Sequence, residues 1–241
     1  MKEEKPILQV RDLSFFYESD PEREILSGIT FSIFPKSITA VIGLSGCGKS
    51  TLCQILCGII PQCIAGTITG EVRVAELDPR TEPLSQMAVT IGYMMQDPDR
   101  QLFASTVEDE LAFGPENLML PPGEIRRRVD EVMDLLEIRH LALKNPGRLS
   151  GGQKQLVAAG ALLTMEPDIL IMDEPVSHVD AQGRKIVLGL MKKLRATGKT
   201  LLVVEHDYEQ LDFADQWLVI ENGRLRDFGA PEEIRKKGGL L

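Results

Sequence analysis

The run Gly43-Leu44-Ser45-Gly46-Cys47-Gly48-Lys49-Ser50 fits the pattern G-x-x-x-x-G-K-[ST]. Glycines let a backbone wrap an anion and aim its N–H groups inward. A helix opening behind the loop adds unpaired amides and a partial positive charge at the same point. Lys49 has the reach for the outer phosphates of a polyphosphate chain, the Ser50 hydroxyl suits a magnesium ion, and Thr51 continues the cradle. A metal also needs a carboxylate. The apolar run at residues 169–172 ends in Asp173-Glu174, an acid pair that is costly unless a cation offsets the repulsion. Asp173 suits the ion and Glu174 the attacking water, so the chemistry indicated is phosphoryl transfer from a nucleoside triphosphate to water.

These groups need strands that stop where they begin. Residues 37–42 form a β-rich run that ends at the glycine loop, and residues 50–60 have helical spacing up to Pro61. Residues 7–10, 29–33, 71–74 and 88–94 read as further strands, the early ones forming a small sheet beside a larger core. Residues 65–70 read as a long loop. The apolar runs 169–172 and 200–204 suit strands buried on both faces, and the helical segments around them point to a parallel, doubly wound sheet. Between these lie a helix started by Thr106 as cap, an amphipathic helix over 124–138 with Arg126, Arg127 and Arg128 on a solvated face, and a helix from Ser150 to about residue 165. Residues 231–241 read as a last helix with a frayed end.

The 241 residues carry 27 Lys+Arg against 36 Asp+Glu, a net charge of −9, with 43% hydrophobic residues. That composition supports a buried core and argues against a nucleic-acid partner, which needs a basic face. Cys47, Cys53, Cys57 and Cys63 lack the companions of a structural zinc site and read as buried thiols of a reducing compartment. No N-terminal targeting segment or membrane-spanning run is visible in the sequence.

Leu149-Ser150-Gly151-Gly152-Gln153 opens a helix with a second phosphate-binding end. With the two motifs above, it makes nearly the whole chain resemble the nucleotide-binding subunits of ATP-binding cassette (ABC) proteins. The resemblance implies a P-loop NTPase core over residues 1–95 and 155–241, mostly a parallel sheet with helices on both faces. It also implies an N-terminal antiparallel β subdomain and an inserted helical subdomain over 96–154. ATP and Mg²⁺ are the implied ligands. Tyr17 matches the adenine-stacking aromatic, with Phe15 and Phe16 as alternatives. Gln96 matches the glutamine that senses Mg²⁺ and water, and His206 the histidine that contacts the γ-phosphate. Ser177-His178-Val179-Asp180 matches the loop of dimer communication, with His178 and Glu205 unusual for the family. The family's ATP is held between two subunits facing head to tail, with Ser150, Gly151, Gly152 and Gln153 of one closing over the nucleotide gripped by Lys49 of the other.

The stretch after Gln96, Asp97-Pro98-Asp99-Arg100-Gln101-Leu102-Phe103, and the later TVEDELAFGPENL resemble the ATPases of energy-coupling (ECF-type) importers of vitamins or transition-metal ions. That likeness implies a membrane coupling subunit against the region from Gln101 to Phe113, a membrane substrate-binding subunit, and a place on the cytoplasmic face of the membrane. Soluble ABC machines remain an alternative, an iron–sulfur assembly ATPase being the best match in size. A small-molecule kinase shares the glycine loop but has no need of LSGGQ or His206.

Overall fold

The computed structural model describes residues 5–177, 179–206 and 211–237. Alternating apolar and polar residues make β1 (Leu8–Tyr17) and β2 (Asp20–Ile33) an antiparallel hairpin, with Leu8 opposite Ile33 and Tyr17 opposite Asp20. Next come β3 (Ile38–Ile42), α1 (Lys49–Leu56) and a short α2 (Ile59–Gln62). β4 (Gly66–Val74) then returns to pair antiparallel with β1. α3 (Leu84–Thr90) leads into β5 (Ile91–Met94). The helical stretch contains α4 (Val107–Asn117), α5 (Pro122–Leu136) and α6 (Gly151–Leu163). After it the chain alternates: β6 (Ile169–Asp173), α7 (Ala181–Ala196), β7 (Thr200–Glu205), β8 (Gln216–Glu221), β9 (Arg224–Gly229) and α8 (Pro231–Lys236).

Two sheets result. One has the order β2-β1-β4, and the other the order β5-β6-β7-β3-β8-β9, parallel throughout except for β9. In the larger sheet, successive side chains serve opposite faces. Ala40, Leu170, Met172 and Val203 join the core shared with α4 to α7. Val41, Ile171, Leu202 and Val204 join the core under α1 and the antiparallel sheet. Burial on both faces is why these strands read as continuous apolar runs. The sheet's topology reverses at β3, and open α/β sheets bind ligands in the crevice at the carboxyl ends of such strands. Among the described residues no helix is long and apolar enough to cross a membrane.

Several local expectations are corrected. Residues 88–90 belong to α3 rather than a strand, because Met87 buries its side chain on the helix and only Ile91 onward meets β6. The helix expected over 50–60 ends at Leu56, and Gly58 turns the chain left-handed (φ 76°) before α2. Residues 66–70, expected as loop, extend β4, with Gly66 opposite Tyr17. The hairpin β8–β9 had no counterpart in the sequence reading. Cys47, Cys53 and Cys57 are buried as expected, but Cys63 is exposed. The arginines of α5 are more than a solvated face. Arg128 donates to the Thr164 carbonyl and pairs with Glu124 and Glu166, tying α5 to the C-terminal end of α6. The expected last helix is present as α8, while residues 238–241 lie outside those described.

Candidate active site

Gly43–Gly48 leaves the carboxyl end of β3 and turns into α1. Gly48 sits at φ 104°, and a Cβ there would lie 2.6 Å from the Leu26 Cδ2, so only glycine fits both backbone and packing. α1 starts with no side-chain cap and no acid in its first turn, which leaves its amides aimed outward. The Lys49 ammonium is buried and donates to the Gly43 carbonyl at 2.7 Å and the Leu44 carbonyl at 2.9 Å. Its charge is thus anchored to the loop it serves.

The loop borders an open cleft of about 650 Å³ that Ser45, Gly46, Gly48, Lys49, Ser50 and Thr51 line on one side. Tyr17 lines it at one end, its hydroxyl 2.9 Å from the Thr51 Oγ1 and its ring edge-on to Phe15 at 4.7 Å. Phe15 is fully buried, so Tyr17 is the ring that faces the cleft. Gly43 and Cys47 do not line this cleft. Gly43 packs against the Ile220 carbonyl beneath the loop, and Cys47 faces a second hollow of about 420 Å³ on the loop's other side.

The strand ends beside the loop supply the remaining groups, Gln96, Glu174 and His206 lining the cleft and Asp173 lying outside its lining. β6 delivers Asp173, β5 leads to Gln96, and β7 leads to His206, all at carboxyl ends of adjacent strands. Glu174 adopts φ 48°, a left-handed conformation costing a non-glycine residue roughly 1–3 kcal/mol. Its N–H donates to the Val204 carbonyl at 3.0 Å. Its carboxylate accepts from the Gln96 Nε2 at 2.6 Å and pairs with the His206 Nε2. Asp173 is buried. One of its oxygens accepts from the Tyr93 hydroxyl at 2.8 Å, and the other has no hydrogen-bond partner among the described residues. Burial, and then the Asp173 charge, push the Tyr93 phenol well above its ordinary range, so it stays a donor. A buried carboxylate oxygen without a partner is costly, and a bound divalent cation removes that cost, so the donor set here fits Mg²⁺.

The other motif residues lie elsewhere on the surface. Ser150 caps α6 and shares a reciprocal capping box with Gln153. Gly151 follows, and Gly152 lies against α7, where a Cβ would sit 2.7 Å from the Gly183 Cα. Asp180 caps α7 by accepting from the Gly183 N–H at 2.7 Å. None of these five lines the cleft of Lys49. His178 falls outside the described residues. The sequence reading also missed Tyr93, Ser19, Asp20, Arg23 and Ile25. The last four line the cleft from the β1–β2 hairpin, where the register with β1 shifts, so no regular strand period announces them in the sequence.

The mixed sheet, the glycine loop behind its central strand and the acid pair on a neighbouring strand end define a P-loop NTPase. A family profile for ABC transporters matches residues 26–177. A putative ABC transporter ATP-binding protein of Geobacter sulfurreducens is 38% identical over 98% of this chain and 91% of its own. The energy-coupling factor transporter ATP-binding protein EcfA1 of Mycoplasmoides gallisepticum is 35% identical over 100% and 84%. The structure of cbiO1 from Clostridium perfringens, part of the ABC transporter complex cbiONQ, superposes with a TM-score of 0.86 at 33% identity, covering 97% of this chain and 92% of that one. Other curated relatives are longer, and the chain spans 41%, 44% and 35% of three of them. The chain belongs to the ABC transporter family, in its ATP-binding branch.

Proposed function

We propose that this chain hydrolyses ATP to drive a membrane transporter, an importer of the energy-coupling type that takes up a vitamin or transition-metal ion. The observation that carries the reading is the convergence of Gln96 and His206 on the Glu174 carboxylate, in the cleft that Lys49 lines. Tyr17 stacks on adenine, the amides of Ser45, Gly46, Gly48 and the start of α1 wrap the phosphates, and Lys49 takes the β/γ end. Ser50, Gln96 and Asp173 would hold Mg²⁺, which would supply charge neutralisation at the phosphates. Glu174 accepts the proton of the attacking water, while Gln96 and His206 fix its carboxylate and hold the water in line.

Ser150, Gly151, Gly152 and Gln153 act on a second cassette's nucleotide, with Asp180 near the same junction. Support comes from their absence from this chain's own cleft and from the exposure of Ser150. The Ser150 hydroxyl accepts from the Gln153 N–H, which leaves its own proton for a phosphate oxygen. ATP then glues two cassettes head to tail, and hydrolysis loosens them.

In this reading residues 96–154 act as the subdomain that meets the membrane subunit, on a core of residues 1–95 and 155–241. The coupling subunit docks near Gln101–Phe113 on the cytoplasmic face, with a separate membrane subunit binding the cargo. Phe103 and Phe113 support this: both are exposed, packed edge-on at 4.6 Å, and fixed because the Glu110 carboxylate accepts from the Phe103 and Ala104 N–H groups. An exposed aromatic pair, Phe103 from the loop and Phe113 from α4, suits an apolar partner. The test is Glu174→Gln. It should bind ATP like the parent, lose turnover by about 10²–10⁴-fold, and run as a nucleotide-held dimer on a sizing column. Hydrolysis at the parent rate would remove Glu174 from its role.

A further inference from the structure

We propose that Arg23 is an additional nucleotide-binding residue, a second cation that pairs with the phosphates nearest the sugar. The proposal rests on the nucleotide reading of the cleft. Arg23 and Ile25 of β2 both line the cleft with Tyr17 and Lys49. Asp20, Glu22 and Glu24 are close in sequence, yet Arg23 makes no ion pair among the described residues. Its guanidinium is therefore free to serve a ligand.

Charge and position say which ligand group. Among the lysine, arginine, aspartate and glutamate side chains of the lining, Lys49 and Arg23 stand against Asp20 and Glu174, so without Arg23 these four classes sum to a net acid toward a polyanion. Lys49 is already shared with two loop carbonyls, whereas Arg23 is exposed at the mouth with its full donor fork. The pairings Tyr17–Asp20 and Phe16–Glu24 set residue 23 beside the tyrosine, on the hairpin, whereas Gln96, Glu174 and His206 come from the carboxyl ends of β5, β6 and β7. With the base at Tyr17 and the γ-phosphate near Glu174, the group that comes to Arg23 is the sugar-proximal phosphate. The same side chain also borders Ser45 and Gly46 in the second hollow, so it lies along the outer turn of the loop and reaches that phosphate from outside. An arginine–phosphate contact at an exposed site is worth about a fivefold to tenfold change in affinity.

The experiment titrates ATP and ADP into the parent, Arg23→Ala, Arg23→Lys and Lys49→Ala by calorimetry at two salt concentrations. Arg23→Ala should weaken ATP and ADP alike by about fivefold to tenfold, with a shallower salt dependence and an unchanged melting temperature. Arg23→Lys should recover part of the loss. An affinity equal to the parent's, or a loss confined to ATP, overturns the assignment while leaving the nucleotide site intact. A parent that binds neither nucleotide overturns both.

Discussion

Helices α1 and α6 both start at glycines and both point amides at solvent, yet they are finished in opposite ways. α1 begins at a left-handed glycine with no side-chain cap and no acid in its first turn, and its lysine is tucked back against its own loop. α6 begins with the reciprocal Ser150–Gln153 box, and its far end is tied by Arg128 to the Thr164 carbonyl and Glu166. One helix end depends on an anion for completion. The other is complete within its own chain, and Ser150 keeps a donor proton to offer elsewhere. This difference is what the proposed function requires: one end that holds the nucleotide, and another that is a preformed surface for a nucleotide already bound.

The largest effect is expected at α1. Lys49→Ala removes the only ammonium lining the cleft among the described residues and should weaken ATP by on the order of a hundredfold or more in a titration. Unchanged affinity would break the comparison at its stronger side. A smaller effect is expected at α6. Ser150→Ala removes the cap and should cost about 1 kcal/mol of stability in denaturant unfolding while leaving ATP binding by the single chain as it was. A loss of ATP affinity in the isolated variant would make α6 part of the same cleft and erase the distinction.

The smallest effect concerns the far end of α6. Hydrogen bonds from Arg127, then Arg128, pull the Glu124 carboxyl from 4.5 down to about 2. A lowered folded-state pKa stabilises above the unfolded value and loses that contribution as pH falls through the folded one. Melting curves of Glu124→Gln should therefore lie slightly below the parent's at neutral pH and converge with them as pH falls from about 4.5 toward 2. A gap that widens on acidification would contradict the network's role.

The two helix ends were legible in the sequence because each is a local motif, residues contiguous along the chain with strand and helix signals on either side. The same holds for Asp173-Glu174 and for Thr106, whose side chain does accept from the Asp109 N–H. What escaped depends on how strands pair and on packing rather than on a contiguous motif. Tyr93 meets Asp173 only because β5 and β6 align Met94 with Met172. Arg23 reaches the cleft only through the hairpin register with β1. Residues 88–90 read as strand because Val89 and Thr90 are β-branched, a preference that the helix overrides by burying Met87. Asn222-Gly223 is a turn signal that joins β8 to β9, but β8 is continuously apolar and shows no strand alternation to announce a hairpin.

The central claim, that α1 of one chain and α6 of another share a nucleotide, is tested most directly by mixing two crippled variants. Lys49→Ala and Ser150→Arg should each be inactive alone. A mixed pair contains one junction with an intact lysine loop facing an intact serine end, so ATP hydrolysis should reappear on mixing. No recovery at any ratio, with both variants folded, would contradict the account.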